Sequence, residues 1–258
     1  MCLIALALNA HPRYALVIAA NRDEFHDRPA ASADWWPAQP DVFGGRDLQQ
    51  GGSWLAVARD GRWAVVTNVR RMVPPDPRAP SRGGLVAGFF GAPRSPAGYV
   101  AELGAAAPSY AGFNLLVGAG TQAVYATNHP QFRSAPLAPG IHAVSNASLD
   151  TPWPKLNRLR GALTQWCGGG RDEIDDLLAA LADDHPAADR ELPNTGIGLE
   201  LERLLSSPFI RSPRYGTRAS TVLAVGRDGR GHFVERRFGA DGTVSGETVQ
   251  VLELKLSN

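Results

Sequence analysis

Two short apolar runs open the chain, CLIALALN over residues 2–9 and YALVIAA over 14–20, separated by AHPR. Runs of this length around a Pro-containing turn predict the two buried strands of a hairpin, and they place position 2 inside the fold. The stretch GGRDLQQGGSWLAVARDGRWAVVTNV, 44–69, reads as a glycine-rich loop, a strand over 53–59, an Asp60-Gly61 turn and a strand over 62–69. VPPDPRAPSRGG, 73–84, reads as a long surface loop, because proline cannot donate to a ladder and restricts the residue before it.

Beyond that loop, SRGGLVAGFF (81–90) and SPAGYVAELGAAA (95–107) predict helices, the second with Ser95 as N-cap and Pro96 at the first helical position. FNLLVGAG (113–120), QAVYATN (122–128) and IHAVSN (141–146) return to strand character. WPKLNRLRGALTQW (153–166) and RDEIDDLLAALADD (171–184) carry apolar residues at helical spacing, and STVLAVG, HFVERRFG and TVQVLELKL close the chain as strands. Strands, two helices, strands, two helices, strands is an order that favours antiparallel sheets with segregated helices over βαβ alternation. No linker composition interrupts the pattern, so the chain reads as one domain over 1–258.

Composition narrows the class. A formal charge of +1 leaves no field for a polyanion, and no Lys/Arg stripe with interleaved aromatics is present, which argues against nucleic acid as a partner. The apolar start lacks a basic n-region and every apolar run is too short to span a bilayer, so the expectation is a chain without a transmembrane segment that works in the cytoplasm. Two cysteines, Cys2 and Cys167, cannot build a disulfide framework and neither has zinc-site spacing, which fits a reducing compartment.

Candidate chemistry clusters in polar stretches beside the apolar runs. Loss of the initiator methionine would leave Cys2 carrying both a thiol and the α-amine, a combination able to act as nucleophile and base. AANRDEF, 19–25, sets Asn21, Arg22, Asp23 and Glu24 directly after the second run, where a hairpin returns them beside Cys2; a solvated turn is the plain alternative. An arginine there favours a thiolate and a carboxylate orients an amine. Asn68 in VVTNV, Asn146 in VSNASLD and Arg218 in YGTRASTVL each have an ordinary structural reading: a strand-end amide, a polar residue before a helix cap, a surface ion pair. Trp35, Trp36, Trp54 and Trp153 stand near these stretches as candidates to line an apolar pocket, although large aromatics are commonly core. His26, His129 and His142 lack metal-ligand spacing, and Cys167 reads as a packed thiol.

MCLI, NRDEF with DRP two residues on, GG.W, VTN, SN..LD.PWPK and YGTRASTVL together resemble the NRDE family, also called the transport-and-Golgi-organization-2-like family, over residues 1 to about 225. That family is similar to cysteine amidases of the penicillin V acylase and bile-salt hydrolase type, in the N-terminal nucleophile hydrolase superfamily. The resemblance implies an α+β fold, a four-layer αββα sandwich of two antiparallel sheets. It implies catalytic roles for Cys2, Arg22, Asp23, Asn68, Asn146 and Arg218, with Asn21, Glu24, Trp54 and Trp153 as candidate substrate-binding residues. Arg22 and Asp23 are contiguous here, whereas the amidases space the pair further apart, so Glu24 stands as the alternative carboxylate. Two functions follow from the resemblance: a hydrolase of a small acyl amide, ester or thioester with no required cofactor, or a non-catalytic carrier of haem or an acyl-lipid or acyl-CoA compound on the same scaffold.

Overall fold

The structure, a computed structural model, describes residues 2–72, 76–169 and 172–255. Chain order begins with strands β1 (Cys2–Leu8), β2 (Tyr14–Phe25), β3 (Ala30–Trp36), β4 (Gln39–Asp47), β5 (Leu55–Ala58) and β6 (Arg62–Asn68). Helices α1 (Gly83–Phe90) and α2 (Pro96–Leu103) follow, then β7 (Phe113–Ala119), β8 (Gln122–Thr127), β9 (Arg133–Pro136) and β10 (Gly140–Val144). Helices α3 (Pro154–Gly168), α4 (Ile174–Leu181) and α5 (Leu199–Leu204) lead to β11 (Tyr215–Gly226), β12 (Arg230–Phe238) and β13 (Val244–Glu253).

The strands form two antiparallel sheets, a six-stranded one in the order β10-β1-β2-β11-β12-β13 and a seven-stranded one running β3 to β9 in sequence. Side-chain alternation decides what each face meets. On β1 and β2 the residues Ile4, Leu6, Leu8, Leu16, Ile18 and Ala20 point between the sheets, where they pack with Phe43, Leu55, Trp63, Leu223 and Phe233. Their neighbours Leu3, Ala5, Ala7, Val17 and Ala19 point outward against Leu156, Leu159, Leu163, Leu177 and Leu181 of α3 and α4. Helices α1 and α2 cover the outer face of the other sheet through Leu85, Val86, Phe89, Tyr99 and Val100. Both faces of the central strands of each sheet are therefore dry, which gives the four layers helix, sheet, sheet, helix.

Local chemistry sets the joints. The Ser95 hydroxyl accepts from Gly98 N–H at 3.1 Å, with Pro96 opening α2. Gly61 turns the β5–β6 hairpin at φ 84°.

Two expectations change. AANRDEF does not follow the second strand but is its end, since β2 runs on to Phe25; the polar residues keep strand geometry because β1 and β11 flank them on both sides. Residues 30–47, outside any expected strand apart from the loop assigned from 44, form β3 and β4, whose pairing is irregular and whose edge position leaves many side chains wet. Of the Pro-rich stretch, residues 73–75 lie outside the described residues, and 76–82 carry no helix or strand.

Gly45 ties this scaffold to the site, because a Cβ there would drive into the Trp54 ring and approach Glu235 Oε2 at 3.2 Å. Overfilling so tight a contact costs about 1–3 kcal/mol. Gly45→Ala is expected to lower the urea midpoint accordingly; an unchanged midpoint would show that the Trp54 ring has room to move.

Candidate active site

Register brings the sequence candidates to one end of the six-stranded sheet. Cys2 on β1 pairs with Arg22 on β2, and Leu3 with Asn21. Asp23 pairs with Thr217 of β11, while Arg22 pairs with Ala219, so Arg218 is the extra residue of a bulge. Alternation then splits the NRDE run. Cys2 and Arg22 share the inter-sheet parity of Ile4 and Ala20, whereas Asn21 and Asp23 share the helix-facing parity of Ala19. Arg22 thus shares the face of the sheet that carries the thiol, and Asp23 lies on the opposite face.

Each group is held firmly. The Arg22 guanidinium lies 4.5 Å from the Trp54 ring centroid and 3.9 Å from Asp47 Oδ2. Asp23 Oδ1 accepts from the Thr217 hydroxyl at 2.7 Å, and its carbonyl accepts from the Tyr215 hydroxyl at 3.0 Å. The Cys2 carbonyl accepts from the Ser145 hydroxyl at 2.8 Å. Asn146 donates to the Asn68 carbonyl at 3.0 Å and accepts from Ser145 at 3.0 Å, bracing the end of β6 against the segment after β10. Behind it Asn114 donates to the Ser145 and Ala147 carbonyls at 3.1 and 2.8 Å.

Cys2, Arg22, Asp23, Glu24, Trp54 and Asn68 line a cleft of about 90 Å³. Glu24, Arg28, Asn68 and Arg82 also line a neighbouring cavity of about 1010 Å³, walled further by Phe25, Tyr110 and Tyr215. Those shared residues stand between the two spaces, so the thiol's cleft lies beside a volume suited to a small organic molecule.

Burial governs the electrostatics. It pushes the Cys2 thiol up, Asp23 and Glu24 adding to the rise while Arg22 opposes it. It also raises Asp23, against which Lys155 acts as the leading opposing charge. Lys155 itself is brought down to about 8 by burial, with Asp23 working in the other direction. Arg70 pairs with Glu202 at 2.8 Å in the same buried region.

The remaining candidates sit elsewhere. Asn21 is spent on structure, donating to Leu181 and Pro208 carbonyls at 2.8 and 2.9 Å and accepting from Ser220 at 2.6 Å. Arg218 donates to the Phe25 and Arg28 carbonyls at 2.8 and 3.1 Å, locking the end of β2. Trp153 packs under α3 with the Arg70 guanidinium 4.8 Å from its centroid. Trp36 is core under α1, and Trp35 packs against the inter-sheet core. His26 meets the Ser212 carbonyl and His142 meets Asp150; no group of three or more metal-ligating side chains occurs among the described residues. Cys167 is buried and pushed up to about 11 by that burial. The sequence reading missed Lys155, Ser145 and Arg82. Lys155 and Ser145 stand inside motifs already singled out, PWPK and VSN, and Arg82 inside the Pro-rich loop.

The family model described as Transport and Golgi organisation 2 matches residues 1–240. A Transport and Golgi organization protein 2 homolog from Bos taurus is 35% identical over 272 aligned residues, covering 94% of this chain and 95% of the relative. The Homo sapiens homolog is 32% identical, covering 92% of each chain. A crystal structure of conjugated bile acid hydrolase from Clostridium perfringens superposes with a TM-score of 0.51 over 100% of this chain and 94% of that one. At 8% identity this likeness concerns the fold.

The charges around the thiol make a pH prediction. Burial favours the neutral thiol, so thiolate accumulates only as pH rises past the ordinary cysteine range, and Arg22 holds that midpoint down. Arg22→Gln is expected to move the pH midpoint of Cys2 alkylation by iodoacetamide further up, slowing the reaction several-fold at a fixed pH of about 8. Coincident wild-type and variant profiles would mean that the guanidinium does not act on the sulfur.

Proposed function

We propose, from the premise that the chain belongs to the Transport and Golgi organisation 2 family, that it is a cysteine hydrolase of a small acyl amide, ester or thioester, with Cys2 as nucleophile. The observation that carries this reading is the convergence of Cys2, Arg22, Asp23 and Asn68 on one cleft beside a larger cavity.

Once Met1 is removed, the α-amine of Cys2 takes the thiol proton, and the sulfur attacks the acyl carbonyl. Asp23 holds the resulting ammonium, and Arg22 stabilises the sulfur as its charge develops. The tetrahedral oxyanion needs preorganised donors. Asn68 suits that role: its side chain lines both cavities and makes no hydrogen bond among the described residues. Asn146 serves it by fixing the Asn68 carbonyl. The ammonium then protonates the leaving amine, alcohol or thiol, leaving a thioester on Cys2. Water, deprotonated by the same amine, hydrolyses the thioester and releases the acid.

A carrier role is the second reading, favoured by the size of the larger cavity and the arginines on its wall. An acyl compound with an anionic group suits that lining. For haem the arginines match the propionates, but among the described residues no histidine, methionine or cysteine lines this cavity, and of the tyrosines on its wall Tyr215 is engaged with the Asp23 carbonyl.

Acid quenching of the protein during turnover of p-nitrophenyl esters and acyl thioesters is expected to trap one acyl group on the peptide that starts at Cys2. Cys2→Ala is expected to lose that adduct and at least about 10²-fold in turnover. Stoichiometric ligand retention with no adduct, and equal turnover in the variant, would overturn the hydrolase reading in favour of the carrier.

A further inference from the structure

Lys155 is 1% exposed, and its Nζ finds no hydrogen-bond acceptor among the described residues. It stands as the second residue of α3, the helix that packs against β1. Both circumstances disfavour a cation: burial strips its hydration, and a helix N-terminus already carries partial positive charge. A methionine or leucine would fill the same volume without either penalty. The lysine therefore answers a local demand for positive charge.

The charges around it identify that demand. Asp23 is the leading anion acting on Lys155, and Lys155 is the leading cation acting on Asp23. Arg70 and Glu202, from the segment after β6 and from α5, also face Lys155 but neutralise each other at 2.8 Å. On β1 and β2, Cys2, Arg22 and Glu24 also contribute, and the chain's α-ammonium is the next cation after Lys155 acting on Asp23; Tyr215 of β11 is a phenol kept neutral by burial. Asp23 is as deeply buried as Lys155, at 1% exposed, and its neighbour Glu24 works against its ionisation.

We infer that Lys155 is a positioning residue of the nucleophile: its buried ammonium is the counter-charge that keeps Asp23 a carboxylate beside Cys2. The inference rests on the reading of Cys2 as nucleophile. It assigns Lys155 no contact with substrate, since the lysine lines neither the cleft nor the larger cavity. Without the lysine, Asp23 either takes up a proton and loses its hold on an ammonium, or stays charged and disfavours the thiolate.

The chain contains two lysines, Lys155 and Lys255, so [13C]lysine labelling gives two side-chain NMR signals. In the wild type at pH 7 the Lys155 signal is expected at the charged position; in Asp23→Asn, with its counter-ion gone, at the neutral one. In parallel, Lys155→Met is expected to slow Cys2 alkylation roughly tenfold at pH 7, where the wild-type lysine is charged, with the two profiles converging above about pH 9, where it is neutral. In the Asp23→Asn background Lys155 is already neutral at pH 7, so adding Lys155→Met should leave the alkylation rate at that pH unchanged. The double variant buries no unpaired ion and keeps the comparison available if Lys155→Met alone folds poorly.

A Lys155 signal indifferent to Asp23→Asn, or a Lys155→Met alkylation profile that overlays the wild type, would overturn the assignment while leaving Cys2 as nucleophile. A full-sized slowing at pH 7 persisting in the Asp23→Asn background would mean that the lysine acts on the sulfur directly and not through Asp23. An inert wild-type Cys2 combined with a lysine signal that follows Asp23 would instead sink the nucleophile reading and leave only a structural ion pair.

Discussion

Ionisable groups taken out of water must be paired or give up their charge, and that constraint organises one whole end of this molecule. At the start of β1 and the end of β2, a thiol, a carboxylate, a guanidinium and an ammonium are packed into a region dry enough to shift the titration of Cys2, Asp23 and Lys155. None could be ionised there alone. Arg22 is supported by the Trp54 face and Asp47, Asp23 by Thr217 and the charge of Lys155, and Arg70 by Glu202. Removing any one member leaves another exposed to the full desolvation cost.

The scaffold is arranged to meet that requirement. Strand alternation sends Arg22 to the inter-sheet face and Asp23 to the helix face, so one dipeptide presents opposite charges on the two faces of the sheet beside Cys2. The bulge at Arg218 lets β11 keep pairing with β2 on either side of this point, and its guanidinium then clasps the carbonyls of Phe25 and Arg28. From the other sheet, Asn68 reaches the cleft at the end of β6, where Asn146 fixes it and Ser145 fixes the carbonyl of Cys2. The site is therefore a property of both sheets, and the close approach of Trp54 and Glu235 to Gly45 is part of how they are kept in place. The same sandwich in conjugated bile acid hydrolase shows that the framework is shared far below recognisable sequence identity.

Much of this was legible from the chain. Apolar runs over 2–9 and 14–20 announce β1 and β2, Asp60-Gly61 announces the β5–β6 turn, and Ser95-Pro96 and Pro154 mark helix starts. Those features are local, so periodicity and turn chemistry suffice. The parts that were not legible depend on neighbours distant in sequence. Residues 30–47 hold Pro37 and Pro40, and their exposed positions follow no strict alternation, so β3 and β4 exist because β5 offers them an edge. NRDE looks like a solvated turn until β11 is known to lie along it. A lysine after the first proline of an amphipathic helix resembles a surface residue, and only the packing of α3 onto β1 shows that Lys155 is buried. The resemblance to a family pointed to residues that the fold gathers at one end, but it did not separate those that line the cleft, such as Asn68, from those that brace it, such as Asn146, Asn21 and Arg218.

Everything proposed for the site turns on the state of Cys2. The most direct measurement is intact-mass and peptide analysis of the natively expressed protein before and after a brief, substoichiometric alkylation. The account predicts a chain that has lost Met1 and is labelled at Cys2 in preference to Cys167. Retained Met1 together with a Cys2 no more reactive than Cys167 would contradict it, because the cleft would then hold a thiol without a free amine to activate it.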